Sequence, residues 1–268
     1  MKITCSAVLM LFSVFPLLAQ VTVPVMVNTG AGKVEMVVSG SGRPAAVFES
    51  GFSDTYEYWD AVVASVSTKV QTVRYNRAGF GHSPMTDRPR TAVEIATELH
   101  TALANANVAS PYILVGHSAG GMYVRVFAHL FPADVAGIVL VDPAPEAFYS
   151  MLAQEDPALW KMMQEDLKNS PPGAGAQMNE NDKTVEEVKA AFPLPKVPVV
   201  VISGTKAQPP VFTPERRKEM TSLQAALVQQ MPGAQHVEAT GCGHNIPGDC
   251  PSIISDTILK MAAKPAGK

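Results

Sequence analysis

Cysteine is scarce in this chain, and there is no excess of positive charge. With three cysteines, and no grouping of His, Cys and carboxylates at ligand spacing, no metal centre is implied. Lys and Arg number 21 against 24 Asp and Glu, a net charge of −3, so no basic surface recommends nucleic acid or an anionic membrane as a partner. Charged residues make up only 17% and hydrophobic residues 47%. That balance excludes disorder and is ample for one sizeable core. The apolar run Ala7 to Leu18 is too short to span a bilayer comfortably. Gly40-Ser41-Gly42 is not followed by a helical pattern, which argues against a dinucleotide fingerprint and for a plain hairpin turn. The glycine-rich loop at Gly79-Phe80-Gly81 has no phosphate-loop lysine. No organic cofactor is implied, and no internal repeat is apparent.

What is present begins with a leader. Residues 1–19 carry Lys2 as their only charge, then the apolar run, then Leu17-Leu18-Ala19 before Gln20. This reads as a signal peptide cleaved after Ala19, so the mature chain is expected to be exported, periplasmic or secreted, with no stable membrane span. Two cysteines then remain, Cys242 and Cys250, bracketing His244. An even number in an oxidising compartment suggests a disulfide closing this loop, worth about 2–3 kcal/mol.

The chemistry is concentrated between Pro111 and Leu130. An apolar run, Tyr112-Ile113-Leu114-Val115, reads as a buried strand. Gly116-His117-Ser118-Ala119-Gly120-Gly121 makes a sharp turn, and Met122, Val126, Phe127 and Leu130 follow at helical spacing. Strand, Gly-x-Ser-x-Gly and helix in succession is the nucleophile-elbow pattern. Residues two before and two after the serine must lack bulk where strand and helix approach. Ser118 is thereby raised above the sheet, beside the Ala119 amide and the positive end of the helix.

Other strands supply the rest of a site. Ala45 to Glu49 reads as a strand ending in Ser50-Gly51-Phe52-Ser53, where Gly51 lets the Phe52 amide face the same point as the Ala119 amide, forming an oxyanion hole. Val70 to Tyr75 reads as a strand leading into the glycine-rich loop, with His82 on its rim. Thr91 to Ala106 is a predicted helix. Val135 to Val141 is an apolar strand that ends in Asp142 and two prolines, with Glu146 four residues on. Val197 to Ser203 is another buried strand, whose end carries no carboxylate before Glu215. Thr213-Pro214 starts a helix to Met231. The strand His236 to Ala239 opens into Gly243-His244, and a last helix covers Ser252 to Met261.

A serine hydroxyl needs a histidine to take its proton and a carboxylate to fix the imidazole. Chain order here is serine, acid, histidine, as in a triad built on an α/β-hydrolase sheet. Ser118 and His244 fill two roles. Asp142 is the preferred acid, with Glu146 or a more distant group as alternatives. Gly51, His117, Glu146 and Met151 are the expected pocket residues. The strand–helix alternation breaks over 147–195, read as a cap inserted into a core of residues 20–146 and 196–268.

Glu49-Ser50-Gly51-Phe52, Tyr75-Asn76-Arg77-Ala78-Gly79-Phe80-Gly81, Gly116-His117-Ser118-Ala119-Gly120-Gly121, Val141-Asp142-Pro143 and Gly243-His244 occur in this order. Across about residues 30–262 the chain resembles the α/β-hydrolase fold superfamily. Asn76 stands where relatives commonly have Asp, and Ser50 where many have His. The resemblance implies a mostly parallel sheet with helices on both faces, Ser118 as nucleophile, His244 as base, and Phe52 and Ala119 as oxyanion donors. An acid after the earlier strand is also similar to haloalkane dehalogenases, although Ser118 replaces their nucleophilic Asp. The expected activity is a carboxylesterase-like cleavage of a small-molecule ester through an acyl-enzyme. An amidase, lactonase, thioesterase or acyltransferase would use the same triad, as would a cofactor-free haloperoxidase. A non-catalytic binder that kept the pocket is the reading from a different class.

Overall fold

Side-chain alternation along the central strands decides the architecture. Ala45 and Val47, Tyr112 and Leu114, and Ile138 and Leu140 enter one buried cluster. Their neighbours Ala46 and Phe48, Ile113 and Val115, and Val139 and Val141 enter another. Both faces of the sheet are therefore apolar and both must be covered, which explains the near-continuous hydrophobic runs in the sequence. The computed structural model describes residues 23–263; the proposed leader at 1–19 lies outside the described residues.

The strands are β1 (Val25–Asn28), β2 (Lys33–Ser39), β3 (Ala45–Glu49), β4 (Thr72–Asn76), β5 (Tyr112–His117), β6 (Val135–Val141), β7 (Val199–Gly204) and β8 (Gln235–Ala239). They form one eight-stranded sheet in the order β1-β2-β4-β3-β5-β6-β7-β8. β1 and β2 are antiparallel to their neighbours, and the pairings from β4 to β8 are parallel. The order corrects one expectation. The Gly40–Pro44 turn is no hairpin, because β4 lies between β2 and β3. The hairpin is the preceding one, where Asn28 pairs with Lys33.

Helix α1 (Asp60–Val66) and α10 (Pro251–Ala262) cover one face with Val62, Val66, Ile254 and Ile258, beside Trp59. Helices α2 (Ala92–Asn105) and α3 (Gly120–Leu130) cover the other with Ile95, Leu99, Val126 and Phe127. The predicted starts of two helices are observed. Thr91 accepts from the Glu94 amide ahead of α2, and Thr213 accepts from Arg216 ahead of α8 (Pro214–Gln229), with Pro214 in its first turn.

Between β6 and β7 run α4 (Phe148–Glu155), α5 (Pro157–Asp166), α6 (Pro172–Asn179) and α7 (Asn181–Ala190). They differ in attachment. α7 is built into the helical layer: Val188 joins the core, and Thr184 and Glu187 accept from the first free amides of α2, Ala92 and Val93. α4 instead puts Phe148 and Tyr149 into a separate cluster with Phe212 and Met220. A short helix absent from the sequence reading, α9 (Ile246–Asp249), follows β8 and is capped by Asn245. Among the described residues no helix is long and apolar enough to cross a membrane.

Candidate active site

The glycines of the elbow are required by contact distances. A Cβ at Gly116 would lie 2.6 Å from the Gly120 carbonyl oxygen, and one at Gly120 would collide with the Glu49 carbonyl. Ser118 occupies the bend with φ 51°, a left-handed conformation costly for a non-glycine residue. Its amide donates to Val141 (3.0 Å), and its carbonyl accepts from Gly121 (3.0 Å) and Ala144 (3.1 Å). The turn is thus stitched to the end of β6. Asp142, the residue after that strand, is itself at φ 40°. Two strained residues face each other across adjacent strand ends.

The loop after β8 completes the group. His244 Nε2 lies 3.1 Å from Ser118 Oγ, and its Nδ1 lies 2.6 Å from Asp142 Oδ2. A carboxylate only accepts, so the imidazole proton sits on Nδ1 and the Nε2 lone pair faces the serine. Ser118 is 9% exposed, and the His244 side chain 23%. The His244 amide donates to Gln208 Oε1 at 2.6 Å, and its carbonyl accepts from His117 Nε2 at 2.9 Å. The two neighbours of this loop, Cys242 and Cys250, are brought to disulfide distance with their Cα atoms 6.2 Å apart.

Asp142 is fully buried and multiply bonded. Oδ1 accepts from the Gly204 amide (3.0 Å), Arg217 (2.9 Å) and Gln224 (3.0 Å), and Oδ2 from Arg217 (2.9 Å) as well as His244. Burial pushes this carboxyl up, but the bond from His244 and the nearby positive charges outweigh it and hold the group below its usual value. Enclosure likewise holds His244 below the ordinary imidazole value. The bond to Asp142 opposes that, and the charges of His117 and Arg217 reinforce it.

On the other side of β5, the loop Ser50–Phe52 is gripped from below. Arg77 donates to the carbonyls of Ser50 (2.8 Å), Gly51 (2.6 Å) and Phe52 (3.3 Å), and is paired with buried Glu49 (2.6 Å), which also accepts from the Tyr75 hydroxyl. In a trans peptide the carbonyl and the following amide point opposite ways. With the Gly51 carbonyl turned to Arg77, the Phe52 amide points away from it. With the Ser118 carbonyl bound to Gly121 and Ala144, the Ala119 amide is turned outward in the same manner. Among the described residues neither amide has a protein acceptor.

The remaining expected residues fall as follows. Gly51 abuts the group, since a Cβ there would meet Asp54 and lie 2.8 Å from His117 Nδ1. His117 is buried beneath His244, with the rings 4.7 Å apart. Glu146 is not at the histidine; its carboxylate pairs with the buried Arg125. Met151 is half-buried on α4. His82 is on an exposed loop, bonded to Glu35, while His100 and His236 have Asp134 and Ser203 as partners. Over the triad, Phe212 lies 4.6 Å from the His244 ring and stacks on Phe148 of α4, and Tyr149 contacts Phe52. A cleft of about 770 Å³ lies at the opposite end of the sheet, lined by Leu194, Met231, Val237 and Met261, away from this group.

Arg217, Gln224, Gln208 and Arg77 were not anticipated. The first two carried a signal. At 217, 220, 224 and 227 the helix α8 presents Arg, Met, Gln and Leu on one buried stripe, so two polar side chains interrupt a core face. Such residues need buried partners.

Residues 46–256 match the profile of the Alpha/beta hydrolase family. The chain is 29% identical over 228 residues to YqjL of Bacillus subtilis, covering 83% of this chain and 85% of that one. It is 32% identical over 148 residues to the probable transporter efuK of Hormonema carpetanum, but that match spans 52% of this chain and only 21% of efuK. Among solved structures, a thermophilic esterase from Thermogutta terrifontis superposes with a TM-score of 0.60 at 19% identity, covering 90% of this chain and 98% of the esterase. The sheet order, the sharp turn at Ser118 and the extent of the profile match agree: this chain belongs to the Alpha/beta hydrolase family.

Proposed function

We propose that the protein is an exported serine hydrolase, carboxylesterase-like, that cleaves a small-molecule ester through an acyl-enzyme on Ser118. The observation that carries this is the continuous line from Ser118 Oγ to His244 Nε2 at 3.1 Å and from His244 Nδ1 to Asp142 Oδ2 at 2.6 Å. His244 Nε2 takes the serine proton as Oγ attacks the ester carbonyl carbon. The displaced carbonyl electron pair becomes an oxyanion, held by the Phe52 and Ala119 amides, a contribution of about 3–4 kcal/mol per donor in comparable sites. Collapse expels the alcohol, which leaves with the proton from His244. Water, deprotonated by His244, then attacks the acyl carbon; the acyl–Oγ bond breaks, the carboxylic acid leaves, and His244 returns its proton to Ser118 Oγ. Asp142 holds the imidazole orientation and stays ionised throughout.

Amides, lactones and acyl transfer would use the same residues. Helix α4, with Phe148 and Tyr149 over the triad, is the segment that would select among them. The leader composition and the juxtaposed Cys242 and Cys250 support export.

The test is hydrolysis of a chain-length series of p-nitrophenyl esters by the mature protein beside Ser118→Ala, together with fluorophosphonate labelling. Turnover of at least one ester, its loss in Ser118→Ala, and label on Ser118 are expected. Absence of both turnover and label in the wild type would mean that the geometry is not a working triad, and a binding protein would take its place.

A further inference from the structure

The proposed mechanism gives no task to the buried cation beside Asp142. Arg217, in the first turn of α8, has a side chain only 3% exposed, and its Nη1 lies 2.9 Å from both oxygens of Asp142. Its guanidinium also lies 4.5 Å from the Phe212 ring, which in turn packs on His244. Two turns along the same helix, Gln224 donates to Asp142 Oδ1 and to the Pro143 carbonyl, both at 3.0 Å. The carboxylate is therefore fixed from the side opposite the imidazole, with Oδ1 fully occupied and Oδ2 shared between Arg217 and His244.

Charge counting shows what this does. A guanidinium is always protonated. With His244 neutral, Arg217 and Asp142 cancel, and the buried group carries no net charge. A proton on His244 adds a second cation against the same single carboxylate, in a site where an uncompensated charge is costly. In a triad without the arginine the imidazolium would itself neutralise the carboxylate, and protonation would be favoured. The other titratable groups around His244 are His117 from β5, Asp54 from the loop after β3, Tyr58 from the turn before α1 and Asp249 from α9. Asp54 is one-third exposed and Asp249 is exposed, so water and salt screen both acids more than the buried pair.

We propose that Arg217 is a positioning residue of this site: it neutralises Asp142 in the resting protein and so keeps His244 unprotonated, as a free base, into the acidic range. The direction agrees with the depressed value of His244, to which enclosure contributes first and the charges of His117 and Arg217 add. The inference rests on the serine-hydrolase reading for its consequence, but its physical content, the protonation of His244, does not need turnover.

The experiment follows the ring resonances of His244 by NMR against pH in the full-length mature protein. Wild type, Arg217→Met and Arg217→Lys are compared, with the pH dependence of fluorophosphonate labelling measured alongside. In Arg217→Met the His244 midpoint is expected to rise by about one pH unit, and the acidic limb of labelling with it. Arg217→Lys keeps the charge but places it on a more flexible and more strongly hydrated ammonium, which does not reproduce the Nη1 contact to both oxygens. Its midpoint stays near the wild-type one while the labelling rate falls. A midpoint unmoved in Arg217→Met overturns the proposal. So does a wild-type midpoint at or above the ordinary imidazole value of about 6.5, a criterion that holds even if Arg217→Met does not fold. Failure of labelling with a shifted His244 titration would sink the serine-hydrolase reading and leave the role of Arg217 standing.

Discussion

Two buried arginine–carboxylate pairs flank β5, and they are used in opposite ways. At the β3 and β4 side, Arg77 meets Glu49 with one bond and donates from Nη1 and Nη2 to three successive loop carbonyls. At the β6 and β7 side, Arg217 bonds both oxygens of Asp142, a carboxylate that also receives His244. In the first pair the acid holds the arginine so that the arginine can hold a backbone. In the second the arginine holds the acid so that the acid can hold a base. On the proposed mechanism, the same two residue types thus set the position of a hydrogen-bond donor on one side of Ser118 and of a proton acceptor on the other.

The largest test of this contrast is Asp142→Asn. It should lower kcat on an ester substrate by about 10⁴-fold, as loss of a triad acid does elsewhere. It should also destabilise the fold by about 3–5 kcal/mol, because Arg217 is left buried without its anion; urea unfolding measures that part. A stable variant with high kcat would remove Asp142 from its assigned role. Next comes Arg77→Met, expected to reduce kcat about 10²–10³-fold through the misplaced Phe52 amide, with KM little changed. A rise in KM with kcat intact would mean that the loop serves substrate binding instead. Smaller is the effect of Cys242→Ser, which should cost about 2–3 kcal/mol in thermal unfolding, with kcat changed less than tenfold. The smallest is Asp54→Asn. Asp54 is a partly exposed acid held below its usual value, with burial opposing and His117 and His244 favouring its charge. Removing that negative charge destabilises the imidazolium, so the acidic limb of kcat/KM should move down by about a few tenths of a pH unit, opposite in sign to Arg217→Met.

The members of this site were legible to different degrees, and for physical reasons. Ser118 and Asp142 stand directly after strands, and His244 stands in the loop that follows β8, at the carboxyl edge where α/β sheets gather polar groups. Hydrophobic runs locate strand ends well, so those three positions could be read. Gly116 and Gly120 were legible because close backbone approach leaves no other residue. Arg217 was not, because three adjacent charges, Arg216, Arg217 and Lys218, read as a solvated helix face, and only the stripe with Met220 and Leu227 betrays the buried one. Arg77 was hidden in a loop, where no period exists to mark burial. The mistaken hairpin at Gly40 to Pro44 has a similar origin. Local turn chemistry does not reveal that β4, some thirty residues on, is inserted between the two strands. Glu146 was kept as an alternative acid on spacing alone; its partner Arg125 lies inside an otherwise apolar helix, α3.

The separation of the three residues along the chain has a consequence for how the protein comes into being. His244 stands 126 positions after Ser118 and 102 after Asp142, and its loop leans on α10, the last helix described. On the proposed mechanism, a chain truncated before β8 contains Ser118 and Asp142 but no base to deprotonate the serine. Acylating power would then be a late-forming property, absent until the loop after β8 has folded against the elbow, and any truncation before His244 is expected to abolish fluorophosphonate labelling.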